Sequence, residues 1–113
     1  LSGLFVDWDE PAMIVVDILN RVRSKIAVTT VDLGNAAATN MARGANIKGI
    51  AAQKPYDQGK TAAAVALLAL MGRETPSWVA LPGLAVTPQN VIQSYQSVWH
   101  TPAPSALLKD RNI

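Results

Sequence analysis

Short apolar runs alternate along the chain with longer stretches whose hydrophobic residues recur every three or four positions. Leu4-Phe5-Val6 is the first run, and it breaks at Asp7-Trp8-Asp9. Glu10-Pro11 then predicts a helix start, because the fixed φ of proline suits a first turn and acids favour the positive end of the helix dipole. Ala12, Ile14, Val15, Ile18, Leu19 and Val22 supply the predicted inner face of that helix. Residues 25–31 carry the next run, in which Ile26, Ala27, Val28 and Val31 are mostly β-branched, so a second strand is expected. Runs that are apolar on both sides suit parallel strands with helices over each face.

Asp32-Leu33-Gly34-Asn35 reads as a turn, followed by a helix over residues 36–42 that stops at Gly44. Residues 48–52 predict a third strand, and Pro55 opens a long alanine- and leucine-rich helix that ends near Gly72. Residues 78–81 and 84–86 look like strand pieces on either side of Pro82-Gly83. Thr87-Pro88 caps a last helix with Val91, Ile92, Tyr95 and Val98 inward. The tail from His100, with Pro102 and Pro104, reads as an irregular surface segment. The alternation predicts an α/β fold: a Rossmann-like parallel sheet with flanking helices. Such sheets bind ligands outside the carboxyl ends of their strands. Trp8 (within Asp7-Trp8-Asp9), Asp32 and Gln53 each sit at the end of a successive predicted strand, so an indole, a carboxylate and an amide are expected on one rim.

Composition narrows the chemistry. Of 113 residues, 50% are hydrophobic and 16% charged, which belongs to a globular chain with a real core. The formal charge is only +2, and Arg21, Arg23, Lys25, Arg43 and Lys48 are scattered, so no nucleic-acid partner is expected. The absence of cysteine excludes disulfide scaffolds, zinc ribbons and thiol nucleophiles. The longest apolar run, residues 62–71, falls well short of the roughly 20 residues a membrane-spanning helix needs. The chain opens on Leu1-Ser2-Gly3 without an initiator methionine or signal-peptide regions, so a fragment of a longer protein is expected.

Nothing in the chain demands catalysis. Asp7 and Asp32 are a conceivable carboxylate pair for glycoside hydrolysis, but no feature sets one up as acid and the other as base. Asp7, Asp9 and Glu10 match no metal-binding loop, and helix capping accounts for them. His100 is the single histidine, and no Gly-x-Ser-x-Gly elbow is present. Gly34 and Gly44 lie on no dinucleotide fingerprint. No catalytic residue, metal or cofactor is therefore expected.

Several blocks resemble type I (ribose-type) periplasmic sugar-binding proteins of ABC importers, in their C-terminal part. Phe5-Val6-Asp7-Trp8-Asp9-Glu10-Pro11-Ala12 is similar to that family's strand and helix start, and Val28-Thr29-Thr30-Val31-Asp32 to its strand ending in a sugar-binding aspartate. Ile50-Ala51-Ala52-Gln53-Lys54-Pro55-Tyr56-Asp57-Gln58-Gly59 resembles its most specific stretch, whose glutamine contacts ligand at a hinge crossing. Leu84-Ala85-Val86-Thr87-Pro88-Gln89-Asn90-Val91 resembles the return strand and final helix. The likeness runs to about Val98. Trp8 departs from the asparagine usual in ribose-binding members, and the chain lacks most of one of the family's two lobes.

The resemblance implies the C-terminal portion of a two-lobed binding protein. Residues 1–53 and 83–113 would form one lobe, and 54–82 a hinge-crossing helix and strand belonging to the N-terminal lobe. It implies a periplasmic solute-binding component that captures a monosaccharide or polyol through Trp8, Asp32 and Gln53 and delivers it to permease subunits in the membrane. An unpartnered helix face at 62–70 would favour self-association of the fragment. Two other readings share the pattern: the effector-binding core of a lactose-repressor-type regulator, and a small α/β enzyme.

Overall fold

The structure, a computed structural model, describes residues 1–109. Its elements are β1 (Gly3–Val6), α1 (Asp9–Arg21), β2 (Ala27–Val31), α2 (Asn35–Ala42), β3 (Ile47–Ala52), α3 (Pro55–Leu70), β4 (Leu84–Val86), α4 (Val91–Trp99) and α5 (Ser105–Lys109). The strands form one sheet in the order β1-β2-β3-β4. The first three are parallel, with Phe5 beside Thr29 and Val31 beside Ala51. This is the expected α/β architecture.

Strand β4 runs antiparallel to β3, pairing Leu84 with Ala52. The reason lies in α3. It has no buried residue and does not pack back across the sheet to carry the chain to the far end. The chain therefore re-enters the sheet from the same rim by which it left, and the new strand must point the other way.

Helices cover one face of the sheet, not both. Because β1, β2 and β3 are sequential neighbours, right-handed crossovers put α1 and α2 on the same side. Helix α1 packs on α2, and α2 on α4 and α5. Beneath them lie Val28, Ile50, Ala52 and Val86, all buried, together with the buried Ala12, Val16, Leu19, Ala38, Met41, Val91 and Val98 of the helices. On the opposite face Phe5 is 68% exposed, and Thr29, Ala51 and Ala85 are exposed too. Burial thus alternates along the strands, as a half-covered sheet requires, with one break in β3 where its register against β2 shifts between Ile47 and Gly49.

Three local expectations are corrected. Residues 78–81 form no strand; they sit between Pro76 and Pro82, with Trp78 76% exposed and no sheet edge beside them. The tail is not irregular throughout. Ala103 and Leu107 stand four apart and are both buried, which folds α5 onto the core. On α1, Ile14, Ile18 and Val22 face outward, at 63%, 54% and 68% exposure, while Ala12, Val16 and Leu19 form the inner face.

One further expectation fails: Thr87-Pro88 does not cap the last helix, which starts at Val91 with Asn90 in the cap position. The helix stops at Gly44 and Gly72 do follow the expected chemistry. Gly44 adopts φ +72°, a left-handed conformation that a side chain disfavours. Its N–H bonds to the Met41 carbonyl and that of Ala45 to the Asn40 carbonyl, the paired bonds that close α2. Buried Asn46 donates its amide to the carbonyls of Ser24 (3.1 Å) and Ile26 (3.0 Å), joining the entrances of β2 and β3. No described helix is long and apolar enough to cross a membrane. The molecule extends 58 × 31 × 18 Å, with α3 and the segment after it outside the packed body.

Candidate functional site

The rim where β1, β2 and β3 end is built around the turn Asp32-Leu33-Gly34. Asp32 has φ +72°, in the left-handed region that costs most residues about 1–2 kcal/mol and that Asp and Asn tolerate best. Each residue of the turn is held by a different element. The Asp32 N–H donates to the Ala51 carbonyl of β3 at 3.1 Å. The Leu33 carbonyl accepts the indole N–H of Trp99, at the end of α4, at 2.7 Å. The Gly34 N–H donates to the Asp9 carboxylate, at the start of α1, at 2.9 Å. A Cβ on Gly34 would collide with that same carboxylate, which would have to swing aside and give up this bond. Backbone strain persists where the surroundings over-determine it, and three independent anchors do so here.

That turn aims the Asp32 carboxylate along the rim. Its Oδ1 accepts from the Gln53 amide nitrogen at 2.8 Å. The Gln53 amide oxygen in turn accepts from the Gln58 amide nitrogen at 3.0 Å. Gln53 follows β3 directly, and Gln58 lies one turn into α3, so this chain of bonds spans the point where the strand gives way to the helix. Helix α3 is also tied down at its first turn. The Tyr56 ring stacks on His100 with centroids 3.8 Å apart, and the Asp57 carboxylate lies 3.6 Å from the His100 imidazole.

Together these residues line a cleft of about 300 Å³, bounded by Asp9, Asp32, Leu33, Gly34, Gln53, Pro55, Gln58 and Trp99. The size is at the lower end of small-ligand sites. Its side chains offer carboxylates and amides and no cation, which suits a neutral ligand rich in hydroxyls over a phosphate or carboxylate. Among the described residues no three His, Cys, Asp or Glu side chains converge as metal ligands.

The structure brings two of the three expected site residues into contact. Asp32 and Gln53 share a hydrogen bond, whereas Trp8 is absent from the cleft lining. Trp8 occupies the extended position before α1, at 48% exposure, on the same rim as Asp9. Asp9, expected to cap its own helix, reaches the neighbouring turn instead. Two contributors were not foreseen: Gln58 extends the amide chain, and Trp99 adds an indole to the lining. Gln58 lay within the most specific sequence block, so its signal was present. For Trp99, 66 residues from Leu33, no local pattern could have announced it.

No family model matches the chain, and no curated protein sequence matches it. A solved structure does: an ABC sugar transporter subunit from Rhodobacter sphaeroides, with a TM-score of 0.69 and 24% identity, over 78% of this chain and 32% of that one. The likeness establishes a shared fold. The chain spans 32% of the length of that protein.

Proposed function

We propose that this chain is the C-terminal part of the solute-binding component of an ABC importer, which captures a monosaccharide or related polyol between two lobes. The single observation that carries the reading is the Asp32–Gln53–Gln58 chain of hydrogen bonds at the carboxyl rim of a parallel sheet. A carboxylate accepts two hydroxyl protons, and an amide both donates and accepts, so the pair meets the mixed demands of a polyhydroxylated ring. The existing bonds among the three side chains hold them where the ligand's hydroxyls would replace or extend them. Trp8, exposed on the same rim, adds an apolar surface over a ligand held there. The fold shared with a sugar transporter subunit supports the same reading.

The proposal divides the chain into residues 1–53 and 83–113 in one lobe, with 54–82 crossing into a second. Its support is the lack of any buried residue on α3, and a radius of gyration of 16.9 Å against about 13 Å for a compact chain of this length. Lobe closure over the ligand excludes water and creates the surface a membrane permease recognises. The protein works in the periplasm on this reading.

Thermal shift of the full-length protein against monosaccharides and polyols tests it. A ligand present at 100 times its Kd stabilises the folded state by about 2.7 kcal/mol, so the melting temperature climbs with concentration. Asp32→Ala is expected to abolish the climb. If no member of the panel raises the melting temperature of the wild type, the reading fails.

A further inference from the structure

We infer that Trp99 is the fixed apolar wall of the cleft and makes it selective for sugars in their ring form over open-chain polyols. This rests on the carbohydrate-binding reading above and names the ligand class within it.

The indole has one polar atom, and it is already engaged. Trp99 Nε1 donates to the Leu33 carbonyl at 2.7 Å, a short bond that fixes the ring's orientation. What remains for a ligand is therefore the apolar π surface, without a donor. Trp99 nevertheless stays 39% exposed and lines the same cleft as Asp32, Gln53 and Gln58. Tyr95, one turn earlier on α4, has its ring centroid 6.3 Å from that of Trp99, and Leu33, whose carbonyl takes the indole N–H, is buried.

The cleft lining thus combines a run of carboxylate and amide groups with an indole anchored through its nitrogen. A sugar ring has matching anisotropy: hydroxyls project around its edge, while axial C–H groups gather on its faces. It can hydrogen-bond to Asp32 and Gln53 while laying one face on the indole. An open-chain polyol bears hydroxyls along its whole length, presents no such face, and must lose several rotamers to enter. A wall that cannot rotate cannot adapt to it.

The test uses the full-length protein labelled with fluorotryptophan, titrated with aldohexoses and with the corresponding hexitols, by fluorine NMR and calorimetry. Loss of one resonance in Trp99→Phe assigns Trp99 and separates it from Trp8 and Trp78. An aldohexose should shift the Trp99 resonance and bind roughly 10-fold or more tighter than its hexitol. Trp99→Ala should collapse that ratio towards one, and Trp99→Phe, which keeps an aromatic face, should retain part of it. An aldohexose that binds without moving the Trp99 resonance overturns the inference, as does a ratio that survives Trp99→Ala; sugar binding itself then stands. If neither aldohexose nor hexitol binds the wild type, the carbohydrate reading falls and takes the inference with it. The resonance shift is read on unmutated protein, and Trp99→Phe serves there only to assign it.

Discussion

Asp32 combines two demands that usually conflict, since its backbone is left-handed and its half-buried side chain lines the cleft. Comparing two replacements separates them. Asp32→Gly and Asp32→Ala both remove the carboxylate, but only alanine carries a Cβ into the φ +72° conformation. Asp32→Gly should unfold about 1 kcal/mol higher than Asp32→Ala in urea titrations, with both blind to sugar. Equal stabilities would mean the turn relaxes and is not clamped. The position of Asp32 and Gln53 at strand ends was legible in the sequence, because strand ends follow from apolar runs. The clamp was not legible. Asp9 reaches Gly34 across 25 residues and Trp99 reaches Leu33 across 66, and such contacts depend on how elements pack.

At the scale of elements, periodicity located the helices well but assigned their faces less well. In α1, apolar residues occupy more than one side, and only packing decides that Val16 turns inward while Ile14 and Ile18 turn out. Proline misled at the other end of the chain. Pro102 and Pro104 suggested a surface tail, yet proline is welcome just before a helix, and α5 begins at Ser105. Leu107 is fully buried against the core. Leu107→Ala should therefore destabilise the protein by about 2–5 kcal/mol in denaturant unfolding. A loss under about 0.5 kcal/mol, the surface value, would show that α5 is not part of the core.

The whole molecule is an α/β unit with open borders. One sheet face carries exposed Phe5, strand β1 lies at a sheet edge, and Leu67 and Leu70 of α3 with Met71 just after it are 58%, 86% and 61% exposed. Exposed edges and apolar patches of this kind promote pairing. The 113-residue chain on its own should self-associate as concentration rises in sedimentation velocity, and charged substitutions at Leu67 and Leu70 should weaken that association. A monomer at all concentrations would remove this support for a missing second lobe. The alternating pattern made the sheet and its rim legible, whereas its half-covered state depends on strand order, which no single run reveals.

A crystal structure of the full-length protein with its tightest-binding sugar tests the central claim most directly. The Asp32 carboxylate and the Gln53 amide should both lie within hydrogen-bond distance of ligand hydroxyls at the carboxyl rim of the sheet. A sugar bound elsewhere, with those two side chains still bonded only to each other and to Gln58, would contradict the account.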